Sequence, residues 1–471
     1  MKFTFRLLAV LFLVASIISS CEEEEKPFTF LVSTNTLQFG SDEETLQLTV
    51  TSDQQWEVEN DVFWITVSPS QGSGNAQISI KAALNPTAEM RSTVINVRSG
   101  TLIQPIKISQ AAGEPQFPAY YIPADASGMR DIPSLYLAGE MGIGWNLGNS
   151  LEAIGGETAW GNPKTSKVLI DAIKAAGFNS VRIPVAWSKF SNEETFEIDP
   201  VWMARVTEVV DYVIDNDMYA VMNIHWDGGW MQPTFAQQDY VNERLEKMWI
   251  QIALNFRDYE DKLLFAGANE VMVEGDYGTP KPEYYQVQNS FNQTFVDAVR
   301  STGGRNTYRN LVVQTFNTNI DHGVNFFQMP EDSTADRLMV EVHYYDPYEF
   351  ALREDELITQ WGANATDPSK TALWGGEAHV DAQFQKMKTK FIVQGIPVLM
   401  GEYGAIQKKD AENHSFRIAY HRYVTQSSIE HGLVPFYWDN GYQGDYGFAL
   451  FDRNTGAQIH PDLVKAILEV D

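Results

Sequence analysis

Eight short apolar runs rich in Val, Ile and Leu recur through the C-terminal part of this 471-residue sequence, at positions 143–146, 180–185, 219–225, 263–269, 310–316, 338–343, 397–402 and 433–438. Several are followed by stretches with helical spacing, around 167–176, 202–215, 243–256 and 284–300. A run of this length without polar alternation fits a parallel strand buried on both faces, and the helical stretch supplies the crossover to the next strand. Eight such units within about 340 residues predict a (β/α)8 barrel of the α/β class rather than an open doubly wound sheet. No Gly-rich phosphate loop stands at a strand-to-helix junction to favour the open sheet.

A barrel of this kind carries its active site at the C-terminal ends of its strands, so polar residues that interrupt or end the apolar runs are the functional candidates. The first run offers Asn146 and Asn149, the second Arg182, the third His225 and Trp226, and the fourth Asn269 and Glu270. The sixth offers His343 and Tyr345, the seventh Glu402 and the eighth Trp438. Each alone is explained by a satisfied polar contact, but run after run ending this way at one rim is not.

Two glutamates closing the fourth and seventh runs suit glycoside hydrolysis, in which one carboxyl protonates the leaving oxygen and an ionised one attacks the anomeric carbon. Their surroundings should push their pKa values apart, and Arg182 and Tyr345 are placed to favour the ionised form of one of them. Asn269 is positioned for a sugar 2-hydroxyl, and Trp438 offers a flat face to a pyranose ring. His225, His343 and the carboxylates lack a HExxH-like spacing, so no metal is expected, and no G-x-S-x-G elbow supports a serine nucleophile. The net charge of −28 disfavours DNA or RNA as a partner and leaves a neutral polymer as the better fit.

The N-terminal part reads differently. Met1, Lys2 and Arg6 precede an apolar run over 7–18, too short to span a bilayer but suited to a signal peptide. Ile18-Ser19-Ser20-Cys21 then resembles a bacterial lipobox, with Cys21 as the lipidation site and the only cysteine. The four glutamates that follow resemble the surface-export signal of Bacteroidetes lipoproteins. The expected layout is a signal peptide (1–20), an acidic tether (21–27), a small all-β domain (28–113), a linker (114–123) and the barrel (124–471). The protein would be an outward-facing outer-membrane lipoprotein at the cell surface, touching the membrane only through its lipid anchor, and a monomer.

Within 28–113, alternation such as Thr45-Leu46-Gln47-Leu48-Thr49-Val50 and Gln77-Ile78-Ser79-Ile80-Lys81 predicts seven or so short strands in an immunoglobulin-like sandwich. Trp64-Ile65-Thr66-Val67-Ser68-Pro69, the Gly72-Ser73-Gly74 turn and Ile108-Ser109-Gln110 resemble the BACON domain of Bacteroidetes. That resemblance leaves a carbohydrate-binding role and a spacer role open. Spacer is the preferred reading, because Trp56 and Trp64 in sandwich strands belong to the core more often than to a sugar platform.

The barrel segment resembles glycoside hydrolase family 5. The motifs are Trp145-Asn146-Leu147-Gly148-Asn149, Val181-Arg182-Ile183-Pro184-Val185, Asn223-Ile224-His225, Asn269-Glu270, His343-Tyr344-Tyr345, Gly401-Glu402-Tyr403-Gly404 and Trp438, in the family's order. The resemblance implies Glu270 as acid/base, Glu402 as nucleophile, retention of configuration and no cofactor. The family's paired histidines are here His225-Trp226, a departure at the second position. Trp160-Gly161-Asn162-Pro163, His225-Trp226-Asp227-Gly228-Gly229-Trp230 and His343-Tyr344-Tyr345-Asp346-Pro347-Tyr348 resemble subfamily 4, which implies an endo-acting enzyme on a β-1,4-linked glucan, xyloglucan first, with mixed-linkage β-glucan or cellulose also possible substrates. Trp230, Trp361 and Trp374 are candidate sugar platforms in loops. Two alternatives stay open: a β-mannanase or glucomannanase, and a non-catalytic glycan-binding lipoprotein.

Overall fold

The computed structural model describes residues 28–60, 62, 64–85, 90–113 and 120–470. They fall into two compact units divided near residue 118. Cys21, the acidic tetrad and the expected signal peptide lie outside the described residues, as does most of the expected linker.

The first unit contains nine strands: β1 (Phe30–Val32), β2 (Thr36–Phe39), β3 (Glu44–Ser52), β4 (Gln55–Glu59), β5 (Ile65–Ser68), β6 (Gln71–Ser73), β7 (Ala76–Ala82), β8 (Arg91–Ser99) and β9 (Leu102–Gln110). They form two sheets, ordered β1-β3-β7-β5 and β2-β9-β8-β4-β6. The inward positions of both sheets, among them Leu48, Val50, Ile78, Ile80, Ile95, Val97 and Ile106, make one apolar core. Alternation with period two delivers those residues to one face of each strand. Trp56 and Trp64 are part of this core. Trp56 donates its indole N–H to the Gly74 carbonyl at 2.9 Å, and the Arg91 guanidinium lies 4.5 Å from the centre of the Trp64 ring. Gly72 is a glycine for a packing reason, since a Cβ there would lie 2.4 Å from the Trp56 ring.

The second unit is a closed barrel of eight strands: β10 (Gly144–Leu147), β11 (Ser180–Ile183), β12 (Tyr219–Asn223), β13 (Leu263–Ala266), β14 (Leu311–Gln314), β15 (Leu338–Tyr344), β16 (Val398–Tyr403) and β17 (Leu433–Asp439). Every neighbouring pair is parallel, and β10 pairs with β17 to close the ring. The crossovers are helical, with local signals that set their ends. Ser166 caps Lys167–Ala176 by accepting from the Leu169 N–H, and Gly177 ends that helix in the left-handed conformation. Asp199 caps Pro200–Asp215 in the same manner, with Pro200 at the first helical position.

Alternation along the barrel strands sorts residues between two cores. Outward-facing Trp145, Val181, Ile183, Ala220, Met222, Leu263 and Phe265 pack against the helices. Inward-facing Tyr219, Val221, Leu264, Ala266, Val312, Met339, Leu399, Val434 and Phe436 fill the lower barrel. The helix Ser134–Met141 plugs that end with Leu137 and Met141. One step further along the same inward rows the residues become polar: Asn146, Arg182, Asn223, Gln314 and Glu341 are all buried. The site begins where the apolar layer stops.

Candidate active site

Arg182 on β11 is the node of the polar layer and has no exposed surface. Its Nη1 donates to Glu402 Oε1 at 2.8 Å and to Asn146 Oδ1 at 3.0 Å, and its Nη2 donates to Asn269 Oδ1 at 2.7 Å. Its Nε forms an ion pair with Glu341 Oε1 at 2.9 Å. Asn146 completes a strut between strands, donating to the carbonyls of Gly401 at 2.8 Å and Tyr437 at 3.2 Å. It is fully buried and supports the site from below. Asn149 lies at the rim, half-buried and in the left-handed conformation (φ 56°). Its backbone N–H donates to Glu152, and its carbonyl accepts from Asn162 at 2.9 Å.

The register of β15 against β16 shifts between Val342 and His343, after which His343 stands opposite Glu402. Such an irregularity re-aims the side chains that follow it. Glu402 is buried, whereas the Glu270 side chain is 40% exposed, so the two carboxyls meet different surroundings. Glu402 Oε2 accepts from the Tyr345 hydroxyl at 3.0 Å. Glu270 Oε1 is bonded to His343 Nδ1 at 2.7 Å, and the other ring nitrogen of His343 lies 3.2 Å from Glu341 Oε1. Oxygens of Glu270 and Glu402 and a nitrogen of His343 all lie within 4.8 Å of one another.

The electrostatics follow from these contacts. Burial pushes the Glu402 carboxyl above its ordinary range and the Glu270 charge adds to that, while His343, Arg182 and the Tyr345 hydroxyl pull it back. Burial alone would lower the His343 imidazole, but the Glu402 charge and the bonds to Glu270 and Glu341 outweigh it and raise its pKa to about 9. Glu341 is opposed by burial yet held at about 2 by Arg182, His343 and Gln314. His225 is pushed well below its usual value by burial and by the Arg182 and His343 charges, so it is neutral. Burial also keeps Tyr345 a phenol, able to donate.

The cleft wall is aromatic. Trp438 stacks on His225 with ring centres 5.8 Å apart and planes 10° from parallel. Trp160 and Trp226 are each about half exposed. A recess beside the pair is lined by His225, Trp226, Gln232, Asn269, Glu270 and Glu274. Trp374 is exposed with its N–H on Glu349, which suits a platform. Trp361 does not suit one: it is buried against Tyr420 and Tyr423, with its N–H bonded to the Gly375 carbonyl. Trp230 is part-buried against the core under the Arg244 guanidinium.

Two residues of the centre, Glu341 and Gln314, were not among the sequence candidates. A lone carboxylate inside the apolar run Leu338-Met339-Val340-Glu341-Val342 was the available signal, since a charge on a strand buried on both faces demands partners. His343 bonds carboxylates at both ring nitrogens, so its imidazole does not present a free lone pair to a metal. Elsewhere, His414, His460 and Asp462 bring ligand-type atoms within 4.8 Å of one another. There His414 is bonded to Asp462 at 2.7 Å and the Arg417 charge acts on His460, so the group is a hydrogen-bonded junction between helix starts.

The cellulase family, glycosyl hydrolase family 5, matches residues 146–444, and the BACON family, described as an N-terminal binding domain, matches 54–111. The chain belongs to glycosyl hydrolase family 5. It is 38% identical to the xyloglucan-specific endo-β-1,4-glucanase of Bacteroides ovatus, covering 97% of this chain and 94% of the relative. It is 40% identical to endoglucanase A of Paenibacillus barcinonensis, covering 75% and 94%. Among solved structures, the Bacteroides ovatus family 5 xyloglucanase in complex with a XXXG heptasaccharide superposes with a TM-score of 0.72 at 38% identity, covering 94% of this chain and 99% of that one. A broad-specificity subfamily 4 endoglucanase from Bacteroides salanitronis gives 0.68 at 40% identity, covering 71% and 94%.

Proposed function

We propose that the chain is a retaining endo-β-1,4-glucanase acting on xyloglucan, with Glu402 as nucleophile and Glu270 as acid/base. The observation that carries this reading is the pair itself, with oxygens within 4.8 Å at one rim. Retaining enzymes need about 5–5.5 Å between the carboxyl groups, whereas inverting ones need about 6.5–9.5 Å to admit a water. Glu402, bonded by Arg182 and Tyr345, attacks the anomeric carbon as the carboxylate while Glu270 gives its proton to the departing glycosidic oxygen. Because Glu270 Oε1 is taken by His343, Oε2 is the oxygen left to serve the leaving group. Glu270 then removes a proton from water, whose oxygen breaks the glycosyl–Glu402 bond and restores both residues.

Xyloglucan is favoured by the substrate named for the relative that spans nearly the whole chain. Initial rates and products on xyloglucan, barley-type β-glucan, glucomannan and galactomannan side by side test this. Xyloglucan should be cut fastest; a preference for the mannans would replace the reading with a mannanase. Glu270→Ala should lower turnover by about 10²–10⁴-fold, and Glu402→Ala should abolish it. Azide should restore some activity to Glu402→Ala and give a glycosyl azide of inverted configuration, read by NMR. Wild-type rates in either variant would remove the role assignment. No turnover on any glycan by the unaltered protein would leave a binding lipoprotein.

For the N-terminal unit we favour a spacer, with Cys21 as a lipid anchor that places the enzyme at the outer surface of the cell. Burial of Trp56 and Trp64 in the sandwich core supports the spacer. No helix among the described residues is long and apolar enough to cross a membrane. Loss of membrane association in Cys21→Ala cells would support the anchor, and unchanged association would refute it.

A further inference from the structure

We propose that Glu341 is a positioning residue of the catalytic centre: the buried carboxylate that fixes His343 with its Nδ1–H on Glu270 and holds Arg182 in line with Glu402. The proposal rests on the reading of Glu270 and Glu402 as the catalytic pair. Glu341 has no exposed surface and sits two residues before His343 on the same inward row of β15, so it is out of reach of a sugar. Its Oε1 bridges two cations, lying 2.9 Å from Arg182 Nε and 3.2 Å from His343 Nε2. Its Oε2 accepts from Gln314 Nε2 at 2.8 Å, and Gln314 is oriented in turn by accepting the Ala268 N–H at 2.9 Å. The neighbouring strand leaves room for it: a Cβ on Gly401 would lie 2.0 Å from Glu341 Oε1.

The charges make the role specific. Three carboxylates face His343: Glu341 from its own strand, Glu270 beyond β13 and Glu402 on β16. Around them stand Arg182, ion-paired with Glu341 and hydrogen-bonded to Glu402, the neutral ring of His225, and Tyr345, bonded to Glu402. A histidine with a carboxylate at each nitrogen is a doubly donating cation. Without the Glu341 charge, one nitrogen faces no anion and the ring loses its proton more easily. The ring is then free to change tautomer, and Nδ1 no longer has to donate to Glu270. At the same time Arg182 keeps one carboxylate instead of two.

The experiment is Glu341→Gln in the full-length protein, which keeps the shape and an acceptor oxygen but drops the charge. In the unaltered protein, NMR of the His343 ring should show an imidazolium past pH 8. In the variant the midpoint should fall by about one pH unit or more, with kcat down about tenfold or more and KM within about twofold. Glu341→Asp, which keeps the charge on a shorter arm, should recover part of the loss. In a double-mutant cycle, Glu341→Gln added to His343→Gln should cost less than it does alone. A neutral His343 at pH 7 in the unaltered protein would overturn the proposal whether or not the variant folds. So would full additivity of the two substitutions. Because the His343 titration is read without turnover, its result stands apart from whether the catalytic pair is correctly assigned.

Discussion

At the scale of single residues, the centre is a set of ionisable groups whose states are fixed by a few oxygen and nitrogen contacts. As the proposed nucleophile Glu402 must be ionised, and its carboxyl is raised by burial, so activity should be present above that raised value and lost as pH falls through it. Tyr345 stabilises the ionised form with one hydrogen bond. Tyr345→Phe should therefore move the acid limb of kcat/KM upward by about 0.4–1 pH unit, the worth of one such bond. A limb that stays in place would show that the tyrosine contributes shape alone. Arg182, Asn269, Glu270, His343 and Glu402 were legible in the sequence because each breaks or ends an apolar run. Asn146 was legible as a site residue but not as a strut, since spacing does not reveal whether an inward side chain stops below the cleft or reaches it. Glu341 was passed over because a single charge inside a run looks like an interruption until Arg182 on β11, Gln314 on β14 and His343 on its own strand are seen around it.

At the scale of elements, β11, β12, β13 and β14 end earlier than their apolar runs do. The run at 219–225 leaves the ladder after Asn223, and the run at 263–269 after Ala266. Residues such as His225, Asn269 and Glu270 sit past the last paired residue, where the chain turns outward and can face the cleft. The loop after β10 shows what such a turn requires. The buried carboxylate of Glu152 accepts the Asn149 and Ser150 N–H groups, while Arg453 holds Ser150 and the Gly148 carbonyl. Burial raises Glu152 to about 7, against an ordinary 4.5, despite those N–H groups and the Arg453 charge. The folded state thus prefers the protonated acid, and stability falls as pH rises from about 4.5 to about 7. Glu152→Gln, which mimics the protonated form, should be more stable than the parent at pH 8 by as much as ~3 kcal/mol, with the gap closing toward pH 4.5. Thermal unfolding across that range checks it, and a constant gap would contradict it.

At the scale of the whole molecule, the change of hydrophobic period marked the two units, and the barrel's strand count was readable because each run is mostly apolar and lacks polar alternation. The sandwich count was less so. Among the described residues nine strands are present where seven or so were expected, since three-residue strands such as β1 and β6 are too short for alternation to register. Each unit has a core of its own, which predicts that the barrel works without the sandwich. A chain beginning near residue 114 should hydrolyse soluble xyloglucan with kcat/KM within about twofold of full length. A large drop would give the sandwich a share in substrate binding and remove the spacer reading.

The close approach of Glu341 to Gly401 also has a hereditary consequence. The position before Glu402 is closed to larger residues by a side chain on another strand, sixty positions away in sequence, rather than by Glu402 itself. The two positions can therefore drift only together. A lineage that shortens the residue at 341 frees the one at 401 to gain a side chain, and a lineage that keeps the glutamate must keep the glycine.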